Sequence, residues 1–227
     1  MEAYRSFLYQ FLSSAFSYPE EETLEKLEAS LGDLKRALQG LQIRYDAASL
    51  RPVLRQARER LLDLQGEHNS LFATSVKAPA WETAYELDKT ARRAVELADI
   101  EGFYRAFGLN LTAPIEPDSL IAELEFLAVL LQKQLYALDV GNQEGVDICA
   151  EAHRKFLTDH LGRWCEVFVH RLAEASDDPY YRRIGGLLKV FVDKETEGLQ
   201  IPKLSEYPVE TLQASTWECD VQTGPGG

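Results

Sequence analysis

Residues 116–136 read EPDSLIAELEFLAVLLQKQLY. Leu120, Leu124, Leu127 and Leu131 recur at i, i+4, i+7 and i+11, the spacing that stacks side chains on one face of a helix. Ile121, Ala128 and Leu135 widen the stripe, while Glu123, Glu125, Gln132 and Lys133 mark more polar sides. Pro117 suits a first helical position, where its missing N–H removes no hydrogen bond. Glu116 and Asp118 set negative charge against the positive end of the helix dipole. The pattern predicts a buried central helix that begins at an acidic loop.

Around this helix the chain has 227 residues, 45% of them hydrophobic, enough to bury one sizeable core and better suited to one globular domain than two. Leu, Ala and Glu dominate, and Gly and Pro are sparse in the interior, which predicts an all-α protein. The expectation is a single compact domain of about eight helices over residues 1–198. An extended or disordered tail over 199–227 follows, where Pro202, Pro208 and a GPGG end interrupt any pattern. The net charge of −13 argues against binding nucleic acid or an anionic membrane surface, and it permits a cationic peptide. Three cysteines, Cys149, Cys165 and Cys219, with no C-x-x-C spacing, point to a reducing compartment rather than a disulfide framework. The N-terminal MEAYRSFLYQFLSSAF lacks a basic n-region, and no run approaches the ~20 apolar residues of a membrane span, so a cytoplasmic location is expected.

Apolar periodicity places the first helix over about 2–17, with Tyr4, Phe7, Leu8, Phe11, Leu12 and Ala15 inward and Tyr18-Pro19 as its stop. A second runs from Glu20–Glu22 to Gly40, burying Leu24, Leu27, Leu31, Leu34 and Leu38. A third covers 51–65, where Gly66 is expected to interrupt it. Residues 67–83, EHNSLFATSVKAPAWET, lose the periodicity and predict a short turn at Leu71-Phe72 and an irregular excursion. Helix resumes over 83–107, with Leu87, Ala91, Val95, Ala98, Phe103 and Phe107 inward and Gly108 as C′ glycine. After the central helix, further helices are expected over about 144–160, 161–175 and 179–197.

No phosphate-binding glycine motif occurs, and Gly185-Gly186 reads as close helix packing. A carboxylate-bridged metal centre would call for Glu-x-x-His, which is absent; Glu166 and His170 stand one turn apart without completing a set. Cys165 beside Trp164 reads as an inert buried thiol, and His153, His160 and His170 as surface or satisfied core histidines. No catalytic set and no resident cofactor or metal emerges. A candidate binding surface does: His68, Leu71 and Phe72 fall at i, i+3 and i+4, Trp81 follows in a proline-containing loop, and the acidic 116–119 loop comes later. An apolar floor beside acids suits a peptide with a basic end and an apolar body. Core packing of Leu71 and Phe72, and a helix-dipole role for Asp118, are the ordinary alternatives.

L-F at Leu71-Phe72, P-x-W-E-T at Pro79–Thr83, F-Y-R-A-F-G-L at Phe103–Leu109 and E-P-D-x-L-x-x-E-L-E-F at Glu116–Phe126, in that order, resemble the TorD/DmsD/NarJ family of molybdoenzyme maturation chaperones over about residues 1–195. The resemblance implies an all-helical cytoplasmic protein that performs no chemistry on its client. Such a chaperone binds the apo catalytic subunit of a molybdopterin oxidoreductase, often through a twin-arginine signal peptide, until the cofactor is inserted. It also implies peptide contacts at His68, Leu71, Phe72, Pro79, Trp81, Glu82, Glu116, Pro117, Asp118 and Ser119, with Glu123 and Phe126 behind them. Where the family has an aromatic before L-F this chain has His68, and Ser119 replaces the histidine that often closes E-P-D-H. Direct binding of the molybdenum cofactor or a guanine nucleotide is the alternative function, a subunit-bridging scaffold a third; monomer and homodimer both stay open.

Overall fold

The computed structural model describes residues 1–85, 91–110 and 115–204. Among them run ten α-helices: α1 (Glu2–Phe16), α2 (Glu21–Ala29), α3 (Leu31–Gly40), α4 (Leu50–Glu59), α5 (Leu61–Phe72), α6 (Ala91–Ala106), α7 (Leu120–Asp139), α8 (Gln143–Asp159), α9 (Leu161–Ala175) and α10 (Pro179–Glu195). Short 3-10 turns cover Ala47–Ser49 and Glu82–Tyr85, and no strand occurs among the described residues. The fold is all-α, as the composition predicts. α7 lies between α1 and α8, with α9 and α10 packed together beside them. Buried apolar side chains form one contiguous cluster from Leu8 to Val192.

Ten helices replace the expected eight because two long ones break. Ser30 separates α2 from α3, its hydroxyl turned back onto the Leu27 carbonyl. Arg60 separates α4 from α5 at φ −122°, ψ 41°, and its guanidinium reaches Asp178, the N-cap of α10, at 2.6 Å. Gly66 breaks nothing: α5 continues to Phe72, held by buried Leu64 and Leu71, so the isolated turn expected at Leu71-Phe72 is the last turn of a helix. A lone glycine costs a helix only about 1 kcal/mol, which tertiary packing overrides.

The central helix starts later than its proline suggests. Ser119 is the N-cap of α7, accepting from Ala122 N at 3.3 Å, and Glu116–Asp118 precede the helix in a turn. Leu120, Leu124, Leu127 and Leu131 are all buried, as their spacing predicts. Glu123, read as polar flank, is fully buried as well. On α1, Tyr4 is 40% exposed rather than inward, its ring lying where a side chain on Gly40 would have to go. On α6 the first half is solvated: Val95 and Ala98 are exposed, and the inward face is Ile100, Phe103, Tyr104 and Phe107, whose last three rings pack around Phe126. Leu87 falls outside the described residues, as does the side chain of Ala91. Gly108 at φ +72° ends α6, where Leu109 N returns to Tyr104 O at 2.8 Å. Gly185 faces Leu172 across the α9–α10 contact, while Gly186 meets open space and needs no packing explanation. Residues 199–204 run on without helix, Leu204 N bonding Arg163 O at 3.0 Å; the remainder of the expected tail, with Trp217 and Cys219, lies outside the described residues.

Candidate peptide-binding site

Two segments that the sequence keeps some 35 residues apart meet ahead of α7. Glu82 N bonds Asp118 O and Leu120 N bonds Ala80 O, each at 2.9 Å, closing an antiparallel bridge between Trp81 and Ser119. The prolines leave their own carbonyls to be capped by phenols: Tyr85 Oη donates to Pro79 O at 2.8 Å and Tyr104 Oη to Pro117 O at 2.7 Å. Asp118 is fully buried and accepts from Thr83 N at 3.2 Å and from Thr83 Oγ1 at 2.6 Å. Its work is to lock this corner. Asp118→Ala strands two buried donors, and urea unfolding should show a loss of about 2 kcal/mol.

Beside the corner opens a cleft of about 400 Å³ lined by Ser75, Val76, Pro79, Trp81, Thr83, Ala84 and Arg93. Trp81 is half-buried. Val76 has φ +45°, a strained value for a β-branched residue, and the turn is held by Lys77 N to Ser70 O and Ala78 N to Leu71 O. Glu116 on the corner is exposed, and Pro117 and Ser119 are half-buried. Arg93 makes the cleft wall partly basic, while the exposed Glu116 carries the negative charge of the corner.

His68 and Phe72 do not line this cleft. They belong to a partly buried aromatic cluster in which His68 stacks edgewise on Tyr18 (5.3 Å) and Phe72 (4.9 Å), and Phe72 reaches Tyr181 (5.6 Å) and Phe168 (6.4 Å). The His68 ring hydrogen-bonds the Tyr181 hydroxyl at 3.1 Å, and burial pushes its pKa down to about 4, so it is neutral at pH 7. Tyr18 remains 44% exposed at the edge.

The other expected contacts point inward. Leu71, Glu82 and Glu123 are fully buried and Phe126 nearly so. Phe126 fills the space among Phe103, Tyr104, Phe107 and Phe156. Glu82 faces the His160 ring at 3.0 Å, and Glu123 accepts from Trp164 Nε1 at 3.2 Å. In this conformation a peptide meets none of these carboxylates, and Glu116 is the accessible acid of the predicted set. Ser75, Val76, Ala84 and Arg93 escaped the sequence reading because no periodicity or motif marks them; Thr83 was legible only as the end of P-x-W-E-T, and Tyr18 only as a helix stop.

The sequence profile of the nitrate reductase delta subunit family matches residues 20–170. Solved structures similar to the chain include a candidate redox enzyme maturation protein from Archaeoglobus fulgidus, with 24% identity over 82% of this chain and 91% of that one and a TM-score of 0.52, a likeness of fold. No curated protein matches the sequence.

Proposed function

The chain belongs to the nitrate reductase delta subunit family, the NarJ/TorD type of redox-enzyme maturation chaperones, and on that premise we propose that it binds the apo catalytic subunit of a molybdopterin oxidoreductase and holds it for cofactor insertion. The segment recognised is the client's twin-arginine signal peptide or an equivalent leader. Binding takes place in the cytoplasm and involves no chemistry on the client; among the described residues no helix is long and apolar enough to cross a membrane.

The observation that carries this reading is the bridge joining Pro79–Thr83 to the Glu116–Ser119 corner, with the half-buried Trp81 at the adjoining cleft. An apolar leader stretch covering Trp81 and Pro79 gains about 25 cal/mol for each Å² removed from water, offset by the cost of ordering the peptide. Its arginines would pair with Glu116, and that contact is screened by salt.

Trp81→Ala should weaken binding of the client leader peptide about tenfold in calorimetry, near 1.4 kcal/mol, with affinity falling further as salt rises. Phe72→Ala, in the separate aromatic cluster, tells whether the peptide extends that far. Unchanged affinity in both variants removes the proposed site. Asp118→Ala is a poor probe, because it disturbs the corner itself.

A further inference from the structure

Behind the corner, four pieces of chain converge on one histidine. His160 sits at the α8–α9 junction, fully buried. Its Nδ1 lies 3.0 Å from Oε2 of Glu82, which comes from the 3-10 turn and is also fully buried. Its Nε2 lies 3.3 Å from Asp99 of α6, yet has no hydrogen-bond partner among the described residues. Glu96, one helical turn before Asp99, completes a set in which ligand atoms of Glu82, Glu96 and His160 all fall within 4.8 Å of one another. Arg163 of α9 stands on the far side of Glu82, 3.4 Å from Oε1, and 3.8 Å from Glu96.

The ring is caught between two carboxylates. With the proton on Nε2, the bare Nδ1 lone pair confronts Glu82 Oε2; with the proton on Nδ1, a buried Nε2 lone pair confronts Asp99. Either neutral tautomer sets acceptor against acceptor. Among the described residues, Glu82, Glu96 and Asp99 gather around Arg163, with Lys155 close enough to Asp99 to feel its charge, which leaves one carboxylate in excess for a bound cation to offset. Two donors 3.0 Å apart subtend about a right angle at one ion held at about 2.0–2.1 Å from each. Nδ1 ligation would put the proton on Nε2, aimed at Asp99, the carboxylate–histidine–metal relation that fixes a ligating imidazole.

We infer that Glu82, Glu96 and His160 form a binding site for a divalent transition-metal ion, with Asp99 orienting the imidazole. Mixed imidazole and carboxylate donors suit Zn²⁺, the probe chosen for the test. The ion staples the turn that carries the cleft and α6 to the α8–α9 junction, so it is a structural device that stands apart from the peptide-binding reading.

Full-length protein freed of metal by chelation should take up one Zn²⁺ at this site with a Kd below about 10 µM, measured against a competing chelator. Its melting temperature should rise on uptake. Glu96→Gln, at a partly exposed position that the core does not depend on, should weaken uptake at least tenfold. In ¹⁵N-labelled protein, the Nδ1 resonance of one histidine should move on adding Zn²⁺, and His160→Gln should abolish that signal. No saturable uptake, uptake unchanged in Glu96→Gln, uptake carried by Cys219 alone, or a His160 ring that stays doubly protonated as Zn²⁺ is added would each overturn the assignment.

Discussion

Replacing Glu195 with alanine should destabilise the chain by about 3 kcal/mol in urea unfolding, a large share of the ~5–15 kcal/mol typical of a domain. Glu195 closes α10, and its carboxylate is almost fully buried against α1 and α8. It accepts from Arg5 Nε and Nη2, both at 2.8 Å, and from Tyr9 Oη at 2.9 Å. His153 lies alongside, its Nδ1 3.3 Å from Arg5 Nη2 and its Nε2 3.6 Å from Glu195. Burial and the Arg5 charge hold the His153 pKa well below the ordinary value, so that ring is neutral and cannot replace the lost charge pairing. Without Glu195, an arginine only 24% exposed loses its counter-charge and a fully buried tyrosine hydroxyl loses its acceptor. Glu195→Gln keeps acceptor oxygen while losing the charge, and about half the effect is expected. Equal stability of Glu195→Ala and the parent chain would mean that the pair only offsets its own desolvation.

This network also shows where sequence reading stops. Arg5, Tyr9, His153 and Glu195 each look like ordinary helix residues, and partners 190 positions apart leave no local trace. The helices were legible because apolar spacing is a local signal: the leucines of α2 and α3, and Leu120, Leu124, Leu127 and Leu131 of α7, are buried as their spacing requires, while Leu135 at the stripe's far end is only partly covered. Their breaks were not, since Ser30 and Arg60 are unremarkable helix formers, and Arg60 bends the chain where it meets Asp178, far off in sequence. Pro117 misled for a related reason. A proline is compatible with a first helical turn, but its carbonyl is taken by Tyr104 and the backbone beside it pairs with Ala80–Glu82, so the helix waits for Ser119.

For the site, the motifs correctly marked segments that matter and could not say which way their side chains face. Trp81 and Glu116 lie within reach of solvent, while Glu82, Asp118 and Glu123 turn inward. A carboxylate in a sequence is read as exposed because burying one is costly; these three are retained by Thr83, His160, Arg163 and Trp164, which only the tertiary fold supplies. His68, standing where an aromatic was expected, keeps an aromatic's packing, since burial leaves it uncharged among Tyr18, Phe72 and Tyr181.

Among the inward carboxylates, Glu123 is the one whose cost should be measurable, and Glu123→Gln should stabilise the protein relative to the parent by about 1 kcal/mol at pH 5 and by more at each step up to pH 8. Burial is the main cause that holds its pKa well above the ordinary carboxylate range; the charges of Glu82 and Asp118 add to it, and the Trp164 hydrogen bond opposes it. One oxygen, Oε1, has no hydrogen-bond partner among the described residues. The sign follows from proton counting. Below the unfolded carboxyl's pKa of about 4.3, both states are protonated and Glu123 carries no pH-dependent penalty. As pH rises above it, the unfolded chain ionises while the folded one keeps its proton, so stability falls by up to about 1.4 kcal/mol per pH unit until the raised folded pKa is passed. Glutamine keeps an oxygen for Trp164 and cannot ionise. The stability difference between variant and parent, from urea unfolding at pH 5, 6, 7 and 8, should therefore widen steadily in the variant's favour. A difference that stays flat across that range would mean Glu123 is ionised and compensated in the fold, with a cation close enough to hold it so.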